Sequence, residues 1–215
     1  MKFAWFYVIA ILVTLPLWLR LIRRDKQLVL LYVAGLLGAM IGGKICYVSV
    51  EGFSDWQQPD RLLRLLAGKS ILGALVGGFI TVELVKKLHG IERVTGDFFA
   101  VVVPLGIAIG RTGCIINGCC QGINGWPAPQ VEMGFNLLFA AIAFAFRPRL
   151  RGQWFHVYLI SYGLFRFFHE FVRATPKCCI GIGGYQIWSL LLAALGLIAF
   201  ELRRRDFQAL EKSGA

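Results

Sequence analysis

Charge is scarce in this chain. Only 16% of its 215 residues are Asp, Glu, Lys or Arg, where soluble domains carry roughly a quarter. So little charge cannot solvate a water-facing globule, and with 57% hydrophobic residues and a mean hydropathy of +0.66 the composition points to a bilayer. Acidic residues are scarcer still, 12 against 23 Lys and Arg. The chain has no Walker loop, no dinucleotide glycine fingerprint and no serine-hydrolase elbow, which removes the soluble nucleotide-binding and esterase classes. It also lacks internal repeats, low-complexity segments and linkers. Residues 1–215 are therefore expected to form a single polytopic membrane domain.

What the chain does have is long apolar runs. A helix rising about 1.5 Å per residue needs roughly 20 apolar residues to cross about 30 Å of hydrocarbon. Seven runs reach or approach that length: 3–19, 28–50, 70–85, 97–113, 132–146, 154–172 and 185–201. The fifth is short, and its start is expected within 126–130. Lys2 precedes the first run as in a signal peptide, but Arg20, Arg23 and Arg24 follow it with no small-residue cleavage site between. That favours an uncleaved spanning helix. The expected fold class is an all-α integral membrane protein, a bundle of about seven transmembrane helices.

The net charge of +11 does not require nucleic acid, and none is expected as a partner. Basic residues collect in alternate connections: Arg20, Arg23, Arg24 and Lys26; Lys86, Lys87 and Arg93; Arg147, Arg149 and Arg151; Arg203, Arg204, Arg205 and Lys212. The positive-inside rule makes that side cytoplasmic. The N-terminus is then outside and the C-terminus inside. Anionic lipid accounts for these clusters, so none is given a catalytic role.

Charges away from those clusters are more informative, because a charge inside a membrane is costly unless it pairs or binds something. Counted along their helices, Lys44, Arg111, Arg166 and Glu170 fall in the outer half, with Arg173 and Glu132 at the outer mouth and Lys69 near it. Their common depth predicts one polar cavity opening outward. Arg166 and Glu170 are four residues apart and share a helix face. They read either as a structural ion pair or as a phosphate-binding guanidinium with a carboxylate that orients it or acts as a base. Arginine suits phosphate because its planar fork contacts two oxygens at once and stays charged when desolvated. Two arginines at similar depth, Arg111 and Arg166, favour an anionic ligand.

Other polar residues have plainer readings. Asp97 is expected to cap the fourth helix. Glu132, after Pro127, Pro129 and Gln130, is either a first-turn carboxylate favoured by the helix dipole or a catalytic group. His89 and His156 read as ordinary surface or interface residues, and His169 receives no role.

Residues 110–122 read Gly-Arg-Thr-Gly-Cys-Ile-Ile-Asn-Gly-Cys-Cys-Gln-Gly. Four glycines in this stretch keep side-chain volume small around Arg111, so other groups can come close. The six cysteines lack metal-ligand spacing, since Cys119-Cys120 and Cys178-Cys179 are adjacent pairs and neighbouring side chains chelate one ion poorly. Three readings stand for the outer pairs: a bridge between them, small packing thiols beside glycine, or a working thiol. Cys46 reads as a core filler. No metal and no cofactor are expected.

On these residues the chain resembles the bacterial prolipoprotein diacylglyceryl transferase family. The family signature runs roughly Gly-Arg-x-Gly-Asn-Phe-x-Asn-Gly-Glu-x-x-Gly, and Gly110, Arg111, Gly113, Asn117, Gly118 and Gly122 keep its frame. Pro129, Gln130 and Glu132 look like the remnant of a downstream Pro-Ser-Gln-Leu-Tyr-Glu stretch. The segment from Tyr162 through Gly163, Arg166, Phe167 and Glu170 to Arg173 is similar to a third block, Tyr-Gly-x-x-Arg-Phe-x-x-Glu-x-x-Arg. Asp97 and Pro104 fit the helix leading into the signature. The resemblance covers about residues 70–200.

The resemblance implies a multi-pass enzyme of the bacterial inner membrane that moves a diacylglyceryl group from phosphatidylglycerol to a cysteine thiol of a prolipoprotein signal sequence. It assigns catalytic roles to Arg111, Arg166, Glu170 and Glu132, and substrate binding to Asn117, Gly113, Gly118, Arg173, Tyr162 and Lys69. The chain departs from the pattern at three places. Leu72 stands where the family has a histidine before a Gly-Gly pair, and Cys114 and Cys119 replace the signature Asn and Glu, which gives those two thiols a candidate role. A relative with another acceptor for the same phospholipid donor, or a non-catalytic lipid-binding or thiol-redox membrane protein, are the alternatives.

Overall fold

The computed structural model describes residues 25–52, 59, 61–150, 152–175, 177 and 181–213. The first apolar run, 3–19, lies outside them, as do Arg20, Arg23, Arg24, Arg151, Cys178 and Cys179. The described residues fall into two compact units, one within Met1–Arg93 and Ala174–Trp188, the other within Val94–Arg173 and Ser189–Ala215.

In the first unit, Asp25 accepts hydrogen bonds from the amides of Gln27 and Leu28 at 3.0 and 3.3 Å, satisfying donors that a helix start leaves open. Helix α1 (Lys26–Val50) follows, then a short α2 (Arg61–Ala67) and α3 (Ile71–His89). α1 and α3 pack backbone to backbone. A methyl group added at Gly42 would collide with the Gly73 carbonyl, and one at Gly77 with the Gly38 carbonyl. Small residues therefore set this contact, as expected where lipid offers no hydrophobic drive between helices. Cys46 is wholly buried with its sulfur 3.1 Å from the Ser70 hydroxyl, which bears out its reading as core.

The second unit contains α4 (Gly96–Ile116), α5 (Ala128–Ala145), α6 (Trp154–His169) and, from Ser189 onward, most of α7 (Gly184–Ser213). Asp97 does not cap its own helix; Thr95 occupies that position. The Asp97 carboxylate instead accepts from the amides of Gly152 at 2.8 Å and Trp154 at 3.4 Å, at the start of α6. The expected cap thus serves a different helix, because the turn before α6 presents its open amides there. Of the two readings of His156, surface or interface, the structure gives the buried one, with Nδ1 2.5 Å from the Gln153 amide oxygen. Stacked rings line the α5–α6 contact, with Phe135 and Phe165 centroids 4.3 Å apart and Tyr158 and Tyr162 5.5 Å apart.

Helices occur at all six expected runs within the described residues, with no strand among them beyond an isolated bridge between Gly122 and Arg173. Four are long and apolar enough to cross a membrane: Lys26–Val50, Gly96–Ile116, Ala128–Ala145 and Gly184–Gln208. The other two fall short for local reasons. α3 ends in Glu83, Lys86 and Lys87, while α6 stops after 16 residues and tightens into a 3-10 turn, Glu170–Val172. Large apolar side chains such as Met40, Ile41, Leu138, Phe144 and Ile198 stay exposed on the spans, as lipid-facing residues would.

Candidate active site

Glu132 is the hub of the second unit's polar centre. Pro127 and Pro129 start α5 at Ala128, within the stretch 126–130 where its start was expected. Glu132 therefore sits beyond the first turn and is fully buried. Its Oε1 accepts from Arg111 Nη2 at 2.7 Å and from Tyr162 Oη at 2.6 Å, and its Oε2 from Arg166 Nη1 at 3.1 Å. Arg173 Nη1 lies 3.7 Å from the same Oε2. The helix holds the carboxylate in place from behind: Asn136 donates to the Glu132 carbonyl at 2.8 Å, and Tyr158 donates to Asn136 at 2.7 Å.

Tyr162, Arg166 and Glu170 recur every four residues, so α6 presents them on one face. Arg166 Nη2 donates to Glu170 Oε2 at 2.9 Å, and Arg173 Nε approaches the same oxygen at 3.5 Å. Three guanidinium groups thus face two carboxylates, leaving one guanidinium in excess of the carboxylates. Several buried donors have no hydrogen-bond partner among the described residues: Nε of Arg111, Nε of Arg166, and both Nε and Nη1 of Arg173. A buried donor left open costs free energy of about 1–3 kcal/mol. The excess guanidinium and the open donors both fit an anion with several acceptor oxygens, the chemistry of a phosphate.

The loop after α4 folds back over this centre. Asn117 caps the helix and donates its side-chain amide to the Gly113 carbonyl at 2.7 Å. Gly118 adopts the left-handed conformation, φ 62°, and the Cys119 amide then reaches back to the Cys114 carbonyl at 3.1 Å. This is a Schellman closure, which favours glycine at that point. Cys120 also has a left-handed backbone, φ 62°. As a result the sulfurs of Cys114, Cys119 and Cys120 all lie within 4.8 Å of one another. The spacing argument against a shared ligand site is thereby corrected: a helix C-terminus brings together thiols that look badly placed along the chain. Cys114 also accepts from Arg111 Nη1 at 3.7 Å.

In the loop, burial pushes the Cys119 thiol up from its ordinary range. The Cys120 thiol is pulled down to about 5, first by its hydrogen bond with Cys114 and further by the charges of Arg111 and Arg173.

His169 and Trp126 were missed by sequence reasoning. His169 is buried, stacks on Phe165 with centroids 4.9 Å apart, and accepts at Nε2 from Trp126 Nε1 at 3.3 Å. Indole can only donate, so the imidazole proton must sit on Nδ1, which is buried and has no partner. The clue available in the sequence was its position between Arg166 and Arg173, next to Glu170.

The structure brings Arg111, Glu132, Tyr162, Arg166, Glu170 and Arg173 into one cluster, with Cys114 beside it. Lys44 and Lys69 belong to the first unit. The Lys44 ammonium is already engaged there by the backbone carbonyls of Leu65, Leu66 and Gly68, and Lys69 is exposed between α2 and α3. Leu72 is buried in α3. A bridge to Cys178 or Cys179 lies outside the described residues.

A family model described as prolipoprotein diacylglyceryl transferase matches residues 1–202. The chain is similar to proteins named phosphatidylglycerol–prolipoprotein diacylglyceryl transferase. That of Vibrio vulnificus is 31% identical over 229 residues, covering 89% of this chain and 84% of that protein. That of Vibrio parahaemolyticus is 32% identical over 219 residues (85% and 79%), and that of Clostridium tetani 28% identical over 197 residues (80% and 79%). No solved structure gives a significant match.

Proposed function

We propose an activity for this chain on a plain premise: it belongs to the prolipoprotein diacylglyceryl transferase family. Its reaction is transfer of a diacylglyceryl group from phosphatidylglycerol to a cysteine thiol of a prolipoprotein signal sequence. The observation that carries this reading is the buried cluster with one guanidinium in excess and open donors on Arg111, Arg166 and Arg173.

The acceptor sulfur attacks the glyceryl carbon next to the phosphate ester, a C–S bond forms, and the C–O bond to phosphate breaks. Glycerol phosphate leaves with growing negative charge. Arginines already held in place can stabilise that charge without reorganising, and in a site shielded from water their effect is large. Arg173 has the most unused donors and is the first contact for the leaving phosphate, with Arg111 and Arg166 beside it. Glu132 and Glu170 fix the arginines. Glu132 already accepts from three side chains, which suits it to positioning and leaves it poorly placed to take a proton. Tyr162 supports Glu132, and Asn117, Gly113 and Gly118 shape the loop that carries the thiols.

Placed in a bacterial cytoplasmic membrane with the N-terminus outside, the cluster lies in the outer half of the bilayer, where the lipid enters from the side and the signal sequence arrives from the aqueous face. The clusters Lys86–Lys87 and Arg203–Arg205 support this orientation. The test is release of glycerol phosphate from phosphatidylglycerol vesicles containing the protein. Release is expected with a cysteine-bearing signal peptide and not with its serine analogue; equal release with both would point to hydrolysis of the phospholipid to diacylglycerol and glycerol phosphate.

A further inference from the structure

A thiol attacks well only as its thiolate, and the arginine cluster offers no free base to make one. Glu132 and Glu170 are locked onto guanidinium groups. His169 has its only lone-pair nitrogen occupied by Trp126. What lies beside the cluster is the group of three sulfurs, joined to it through Arg111, which donates to Cys114 by Nη1 and to Glu132 by Nη2.

We propose that Cys114, Cys119 and Cys120 hold a zinc ion whose fourth coordination position takes the acceptor thiol. The inference rests on the transferase reading for the identity of that fourth ligand, and on this structure alone for the other three. Zinc binds thiolates at about 2.3 Å in a tetrahedron, which sets sulfurs about 3.8 Å apart. Sulfurs within 4.8 Å need only a small contraction to reach that spacing. A Schellman closure and a left-handed Cys120 hold the three ligands together. Three protein ligands with an open fourth position is the arrangement of reactive zinc sites, whereas structural sites are closed by four. The site also has a way in: Cys114 is buried, but Cys120 is exposed.

The chemistry balances without an oxidant. An acceptor thiol displaces zinc-bound water and gives its proton to solvent, since a thiol bound to the metal is deprotonated. Its sulfur then attacks the glyceryl carbon, forming C–S as C–O breaks, and the bond electrons leave with glycerol phosphate. The neutral thioether binds zinc weakly and gives way to water. Arg111, in contact with both a zinc-bound sulfur and the phosphate cluster, brings nucleophile and leaving group to one place.

The experiment uses the full chain, purified anaerobically in nanodiscs containing phosphatidylglycerol. Zinc is measured by elemental analysis, and cobalt substitution reads the ligands by absorption. About one metal per chain is expected, with thiolate-to-cobalt charge-transfer bands. Cys114→Ser, Cys119→Ser and Cys120→Ser should each lower metal retention at least tenfold, while Cys46→Ser should retain it. A signal peptide with cysteine should shift the cobalt d–d bands, and its serine analogue should not. Protein that binds no metal under these conditions, or a cobalt spectrum indifferent to the cysteine peptide, overturns the inference. Full transfer by metal-free protein also overturns it while leaving the transferase reading intact. A peptide-dependent cobalt shift with no lipid transfer leaves the metal site standing and removes the transferase reading.

Discussion

Glu132 and Arg166, 34 residues apart in sequence, meet at 3.1 Å with both side chains buried. The pair joins α5 to α6, and the other carboxylate oxygen of Glu132 joins α5 to α4 through Arg111 at 2.7 Å. One side chain thus ties three helices at the centre of the second unit. Replacing it should disturb fold and chemistry together.

Glu132→Gln keeps the shape but removes the charge, leaving the buried Arg111 guanidinium without its carboxylate and Arg166 with Glu170 alone. Breaking such a pair costs about 3–5 kcal/mol. Thermal unfolding in detergent should show a large fall for Glu132→Gln. Glu201→Gln, which breaks the exposed pair with Arg204 at 3.3 Å, should cost about 0–1 kcal/mol. Equal stability of the two variants would mean that Glu132 does not hold the helices.

Among the described residues the Arg173 guanidinium makes only long contacts, 3.5 Å to Glu170 and 3.7 Å to Glu132, and has buried donors to spare. Arg173→Lys should therefore leave the melting temperature nearly unchanged while lowering turnover roughly 10²–10³-fold, the usual cost of losing one preorganised donor. Arg166→Lys, with its 2.9 and 3.1 Å contacts, should lower both. A stability loss in Arg173→Lys without a fall in turnover would make Arg173 a structural residue only.

Cys120 supplies a pH test. Its thiol is held near 5, below its unfolded value of 9.0, so the thiolate persists in the folded protein from alkaline pH down to about 5. The stability it contributes is complete above the unfolded value and is lost as pH falls through about 5. In protein stripped with chelator, iodoacetamide should label Cys120 at a nearly constant rate between pH 6 and 8 and more slowly below about pH 5. Cys119, held high, should label faster as pH rises. Peptide mapping by mass spectrometry separates the two, and identical profiles would contradict the arrangement of charges around Cys120.

Much of this was legible in the sequence because it follows a short period. The apolar runs marked every described α-helix but the short α2, and the four-residue spacing of Arg166 and Glu170 marked a shared face. Contacts between helices were not legible. Nothing local says that Glu132 would bind Arg111 rather than face the surface, because Arg111 lies 21 residues away on another helix. Asp97 was recognised as a cap but assigned to the wrong helix, since its partners, the amides of Gly152 and Trp154, are more than fifty residues away. The thiols were misread for a related reason. Adjacent cysteines chelate poorly in an extended chain, but a left-handed Gly118 turns them back onto Cys114.

The most direct test of the central claim is transfer itself. The full chain is reconstituted with phosphatidylglycerol, a signal peptide bearing one cysteine is added, and the peptide is weighed by mass spectrometry. The arginine-centred site predicts that the peptide gains one diacylglyceryl group as a thioether, and that Arg173→Lys slows the gain. A wild-type protein, folded and with Arg111, Glu132 and Arg166 intact, that adds no more lipid to the peptide than protein-free vesicles do would contradict it.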